Sequence, residues 1–294
     1  MQKNHKKLSI RYFIKAQTDQ INQSRIGQES AFQKRNRPES DNGDEQVNRS
    51  EFHDFFFGDN APIILPVIHV IDHEQTASNI DKLIDAGISG CFLINHDFGV
   101  DRFLPIIRSI RTRYPDFWIG LNFLAVTGRD AFPVLAALAK QGCRIDAYWA
   151  DDARIDERED HQIDANEIQN IRQQTGWNGL YFGGTAFKKQ REVHPTDYAK
   201  SAQIAGGFMD VVTTSGVATG NAAEISKIAT FRSALPDTPI ALASGITPEN
   251  AADYAMVDCF MVATGINITD DFYNIDPAKL GLLISKCRKM GDTQ

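Results

Sequence analysis

Ile63-Ile64-Leu65-Pro66-Val67-Ile68-His69-Val70-Ile71 is a continuous apolar run that ends in Asp72-His73 without a glycine. A strand that is apolar along its whole length is buried on both faces, as in a parallel sheet covered by helices. An open doubly wound sheet would place a Gly-rich phosphate loop directly after this first strand. None is there. Seven further runs follow, at Gly90–Asn95, Phe117–Phe123, Ile145–Ala150, Leu180–Gly183, Asp210–Thr214, Ile240–Ala243 and Cys259–Ala263. Helical periods fall between them near 74–86, 101–113, 129–141, 164–175, 196–205, 222–234, 248–255 and 277–289. Eight strand–helix units in about 230 residues predict an α/β fold, a single (β/α)8 barrel of the TIM type, over 59–294.

The punctuation agrees. Ala86-Gly87-Ile88-Ser89-Gly90 reads as a helix C-cap leading into a strand. Thr247-Pro248-Glu249-Asn250 reads as an N-cap with Pro at the first helical position.

Residues 1–58 differ in character. Up to Pro38 there are nine Lys or Arg against two Asp or Glu, and from Glu39 to Asp54 six acids against one Arg. Low hydrophobicity with clustered charge predicts a polar, disordered, dispensable arm. Leu8–Lys15 has the pattern of a short helix, and an Arg-containing transit peptide is the rival reading of the arm.

Among the chain's 294 residues, 42% are hydrophobic and the net charge is −7. That charge disfavours nucleic acid as a partner, and no apolar run approaches the roughly 20 residues of a membrane span. Cys91, Cys143, Cys259 and Cys287 are widely spaced without a C-x-x-C pair, which fits a reducing, cytoplasmic compartment.

A barrel of this kind works at the C-terminal ends of its strands, so the polar residues there are the site candidates. Two glycine turns, Ser244-Gly245-Ile246-Thr247 and Thr264-Gly265-Ile266-Asn267, follow strands seven and eight, the position where barrels commonly hold phosphate. Glycine there exposes backbone N–H groups, and a helix starting beyond it turns its positive end toward an anion. A tight βα turn is the plain alternative for each. Thr214 and Ser215 after strand six, Gly183, Gly184 and Lys188 after strand five, and Asn122 on strand three complete the predicted substrate and phosphate ligands.

Asp151, Asp152, His96 and Asn95 are the catalytic candidates. A carboxylate or imidazole at the mouth serves proton transfer. Adjacent strand residues point to opposite sides, so only one of Asp151 and Asp152 faces the mouth; the other pairs with Arg154 or caps a turn. His69 and His73 bracket strand one, but no spacing matches a metal-ligand motif. No metal site is assigned, and the cofactor is left unassigned. Lys188 lies several residues beyond strand five, which argues against a Schiff-base lysine at a strand end.

Val211-Val-Thr-Thr-Ser-Gly-Val-Ala-Thr-Gly220, Ser244-Gly-Ile-Thr-Pro-Glu-Asn250 and Phe260-Met-Val-Ala-Thr-Gly265 resemble the BtpA/SgcQ family of TIM-barrel proteins. The likeness covers residues 60–289 and departs from the family pattern at Asn95-His96-Asp97-Phe98. Phe92–Asp97 and Tyr148–Arg154 are similar to segments of proteins assigned as adenine phosphoribosyltransferases. The resemblance implies a phosphate-binding-like barrel end and either an enzyme of phosphorylated sugars or nucleotides or a non-catalytic assembly factor of the BtpA type. The expected partner is a phosphorylated small molecule, with homo-oligomerisation left open.

Overall fold

The computed structural model of the chain describes residues 46–56 and 61–291. Eight parallel strands close in sequence order: β1 (Ile63–Val70), β2 (Gly90–Asn95), β3 (Trp118–Phe123), β4 (Ala147–Ala150), β5 (Leu180–Gly184), β6 (Val211–Thr214), β7 (Ile240–Leu242) and β8 (Cys259–Val262). Register runs Val67 to Phe92 between β1 and β2, and Ile63 to Cys259 across the closing seam. The chain is thus a TIM barrel. Among the described residues no helix is long and apolar enough to cross a membrane.

Helix α1 (Arg49–Phe55) precedes the barrel. Around it run α2 (His73–Asp85), α3 (Val100–Arg113), α4 (Gly128–Lys140), α5 (Ile163–Thr175), α6 (Tyr198–Gly206), α7 (Ile225–Ala234) and α8 (Pro277–Gly291). Gly87, at φ +77°, ends α2 in a Schellman motif, with Ile88 N–H on Leu83 O at 2.9 Å and Gly87 N–H on Ile84 O at 2.9 Å. The helix expected from Thr247-Pro248 is instead a short 3-10 turn, Ala251–Tyr254. The reason is local. Asn250 turns back on the loop, donating to Gly245 O at 2.7 Å and accepting from Thr247 N–H at 2.8 Å.

Residues 46–56 correct the reading of a polar arm. Asn48 and Glu51 form a capping box, and the helix they start buries Phe52, Phe55 and Phe56. Phe56 meets Trp118 edge-on at 5.2 Å, and Phe52 meets Phe182 at 6.2 Å. These rings extend the barrel's inner layer of Phe92, Trp118, Trp149 and Phe182. Composition averaged over 58 residues hides three aromatics at helical spacing. The expectations for 1–45, the Leu8–Lys15 helix included, lie outside the described residues.

A buried aspartate stands just before β4, β6 and β8, and each makes the same knot. Asp146 accepts from Ile119 N–H at 2.8 Å and Arg111 at 2.7 Å; Asp210 accepts from Tyr181 N–H at 2.7 Å and Arg172 at 2.6 Å. Asp258 accepts from Ile240 N–H at 2.7 Å and Arg232 at 2.5 Å. Every knot joins a helix end, an odd strand and the next even strand. At Asp258 the Nε groups of Arg49 and His53 from α1 add contacts at 2.7 and 3.0 Å. Burial raises the Asp258 carboxyl, but the His53 hydrogen bond and Arg232 outweigh it and hold it below the usual range.

Removing one partner of a buried ion pair strands the other charge. R111M leaves buried Asp146 with Arg144 Nε at 2.7 Å as its remaining cation, so it is expected to lower the unfolding free energy by about 3 kcal/mol in urea titration, the low end for a broken buried pair, while R113A, whose partner Asp81 is half-exposed, stays within about 1 kcal/mol. F52A, which empties a fully buried ring position, is expected to cost about 3–5 kcal/mol. A shift near zero for F52A would restore the dispensable-arm reading.

Candidate functional site

Alternation along the strands decides which side chains reach the mouth. On β4, Tyr148 turns outward, its hydroxyl donating to Val126 O at 2.7 Å, so Trp149 and then Asp151 turn inward. On β2 the same parity puts Ile94 and His96 inside, and on β1 Val67 and His69. An open pocket of about 580 Å³ results, lined also by Leu124, Lys188, Lys189, Thr219, Gly220, Ser244, Gly245, Met261 and Thr264.

Asp151 is the mouth carboxylate. Asn122, from the inward face of β3, donates to it at 3.1 Å. Asp152 turns away, its carboxylate accepting from Arg154 N–H at 2.8 Å and pairing with Arg154 Nε at 3.4 Å. Asp152 therefore does not face the pocket. Nor does the Asn95 amide reach into it, because both its ends are engaged with loops, on Phe98 O at 2.6 Å and Leu124 N–H at 3.1 Å.

Lys188 overturns the distance argument made from sequence. The loop after β5 doubles back through left-handed Ala186 (φ +45°) and Lys189 (φ +63°), and Gln190 ties it to Asp151 O and Gly184 O. The Lys188 backbone N–H bonds Ser215 Oγ at 2.8 Å, and its amine reaches Ala243 O at 3.0 Å, at the end of β7. Burial pulls that amine below the usual lysine range, against the pull of Asp151. Burial likewise raises the Asp151 carboxyl, with Lys188 opposing. Lys189 is exposed at the rim.

The glycine turns have an internal explanation. Gly245 sits at φ +70°, and a Cβ there would lie 2.2 Å from the Ala222 nitrogen. A Cβ on Gly265 would lie 1.9 Å from Ile246 O, and one on Gly184 would lie 2.0 Å from Asp151 O. Gly183 is closed in by Met209. These glycines let neighbouring loops stack backbone to backbone. Of the two turns, Ser244, Gly245, Ile246 and Thr264 line the pocket. The Ser244 hydroxyl is used between Gly216 N–H (2.8 Å) and Asn221 O (2.9 Å). Thr247 caps Glu249 at 3.2 Å, Asn267 donates to Phe272 O at 2.8 Å, and Thr214 donates to Ala186 O at 3.3 Å. These three hold loops together.

Several residues escaped sequence reading. Buried Lys227 of α7 donates to Ala186 O at 2.5 Å and Ser215 O at 2.8 Å, clamping two mouth loops; burial pulls it down to about 8. Phe272, from the loop after β8, stacks on His69 at 3.9 Å, and His96 meets His69 edge-on at 4.9 Å. Tyr273 beside it donates to Asp97 at 2.8 Å. Only the length of the β8–α8 connection hinted at such a cover. His69 Nδ1, Trp149 Nε1 and Asn122 Oδ1 are buried around the pocket with no hydrogen-bond partner among the described residues. Among the described residues no three His, Cys, Asp or Glu side chains cluster as metal ligands would.

No family model matches the chain, and no curated protein matches it. Solved structures match it in fold. Tryptophan synthase subunit alpha from Legionella pneumophila str. Paris is 18% identical, with 84% of this chain and 100% of that one covered and a TM-score of 0.57. Phosphoribosyl anthranilate isomerase from Thermus thermophilus is 12% identical, covering 78% and 99%, at 0.52. Phospho-2-dehydro-3-deoxyheptonate aldolase from Thermotoga maritima is 15% identical, covering 80% and 70%, at 0.51. At these identities the shared property is the eight-stranded barrel.

Burial holds His69 neutral, with its pKa pushed down to about 3, and His96 adds to the effect. In the unfolded chain the same ring takes up its proton near 6.5. The unfolded state therefore binds more protons between these values, and stability is lost as pH falls from about 6.5 toward 3. H69Q is expected to show a shallower fall of Tm between pH 7 and 4 than the parent. Coincident slopes would mean that folded His69 is already charged.

Proposed function

We propose that the chain is an enzyme of phosphorylated sugar or nucleotide metabolism, with Asp151 as the acid–base group. One observation carries this reading. Asp151 and Lys188 share a half-enclosed pocket, and burial drives their pKa values toward each other. Opposed shifts of this kind suit groups that exchange protons near neutrality. A purely structural pocket, as in a BtpA-type assembly factor, gains nothing from holding two such groups half-desolvated. His96 lines the same pocket and adds an imidazole donor or acceptor.

The anion lies at the rim, against exposed Lys189 and the backbone of Gly220, Gly245 and Thr264. The BtpA/SgcQ resemblance of the segments 211–220, 244–250 and 260–265 supports phosphate there. His69 Nδ1, Trp149 Nε1 and Asn122 Oδ1, without partners among the described residues, suit a ligand rich in hydroxyls.

Ribose 5-phosphate is expected to raise Tm more than ribose does, and AMP more than adenosine, since binding only the native state stabilises it. K189A weakens that binding about tenfold, the loss of one charge-assisted contact. Equal shifts with and without the phosphate would sink the phosphate assignment. No shift with any phosphorylated compound would sink the enzyme reading.

A further inference from the structure

Half-buried Lys188 on the loop after β5 and buried Lys227 on α7 both send amines to the mouth loops, yet their surroundings differ. Lys227 is enclosed, with two carbonyls on its amine and the rings of Tyr198 and Phe231 at 5.2 and 5.9 Å. It does not line the pocket. Lys188 does, and among the described residues Ala243 O is the one hydrogen-bond partner of its amine, with the Phe187 ring 5.5 Å away. No carboxylate lies within 4.0 Å of its amine among those residues. An ion-paired lysine is locked as ammonium, whereas one with a single carbonyl partner keeps capacity for the pocket; once neutral it carries a lone pair. Asp151 stands across the same space, near enough to act on its charge. Trp149, Ile94, Leu124 and Met261 supply apolar walls. These are the conditions that turn a lysine into a nucleophile toward carbonyl carbon.

We propose that the Lys188 amine captures the carbonyl of a phosphorylated aldehyde or ketone as an imine, with Asp151 carrying the protons. The inference rests on the mouth being the site for phosphorylated small molecules and adds their reactive group. Through one bridging water, Asp151 first takes a proton from the Lys188 ammonium, freeing the lone pair. Nζ then adds to the carbonyl carbon, and Asp151 returns the proton so that the carbonyl oxygen becomes the carbinolamine hydroxyl. Asp151 then moves a second proton from the carbinolamine nitrogen to that hydroxyl, which leaves as water while the freed nitrogen lone pair closes the C=N bond. In sum, one carbonyl group and one lysine ammonium give one protonated imine on Nζ and one water, with no oxidant or reductant. The iminium then withdraws electrons from the neighbouring carbon, as isomerisation or carbon–carbon cleavage requires. Lys189, one residue on and exposed at the rim, stands where the same ligand's phosphate would emerge.

The test is reductive trapping on the full chain. Dihydroxyacetone phosphate, glyceraldehyde 3-phosphate and ribose 5-phosphate are each added at millimolar concentration with sodium borohydride. Intact mass and peptide mapping follow. One adduct per chain is expected, on Lys188, at least tenfold over any other lysine. K188R removes it, and D151N slows it tenfold or more with Lys188 still in place. Adducts spread over exposed lysines, an adduct on Lys227 alone, or none at Lys188 with all three probes would overturn the proposal. Mapping on the unaltered chain needs no variant to fold. The thermal shift separates the two readings: phosphorylated compounds that raise Tm without trapping leave the enzyme reading standing and remove only the imine.

Discussion

Three buried aspartates before even-numbered strands carry the geometry of this barrel. Asp146, Asp210 and Asp258 each bind a backbone N–H of the preceding odd strand and an arginine from a helix end. Buried ion pairs of this sort add little net stability, because desolvation offsets attraction. Their effect is on register, since any slip leaves a buried carboxylate without its donors. With stagger pinned at the N-terminal end of the β3–β4, β5–β6 and β7–β8 pairs, the parity of those strands at the other end is set as well. Asn122, Trp149 and Asp151 converge for that reason. Helix α1 belongs to the same constraint, because Arg49 and His53 complete the Asp258 knot while its phenylalanines cover the aromatic layer beside it.

The mouth is built on a second constraint, the stacking of loops on one another. Gly184, Gly245 and Gly265 allow backbones to approach where any side chain would collide. Ser215, Ser244 and Lys227 bind the stack through hydroxyls and an amine. Lys188 is delivered by this packing rather than by a strand, through two left-handed residues and the Gln190 contacts. A rigid shelf that aims one amine into a pocket is what covalent chemistry requires, since reacting groups must be held within fractions of an ångström.

Much of this was legible in the amino-acid order. All eight strands and seven of the eight expected helical segments follow from apolar runs and their periods, because parallel strands buried on both faces leave a strong local signature. The even choice between Asp151 and Asp152 was legible as a choice, since it depends on side-chain parity alone. Its outcome needed Tyr148 to be seen turning outward. The glycine turns were visible, but whether glycine faces a ligand or a neighbouring loop depends on residues over 20 positions away, such as Ala222 for Gly245. Asn95 and Asn267 looked like free polar groups for the same reason; their partners lie on other loops or across a turn.

The sequence by itself therefore determined the barrel, its strand order and the end at which the polar residues gather. These follow from short-range patterning, in which each element declares the faces it must bury. Tertiary structure alone decided which gathered residues are spent on one another and which remain for a ligand. It also brought Lys188 back to β7 and joined α1 to the Asp258 knot. Such outcomes depend on satisfying buried donors and acceptors between distant segments, and no local pattern carries that information.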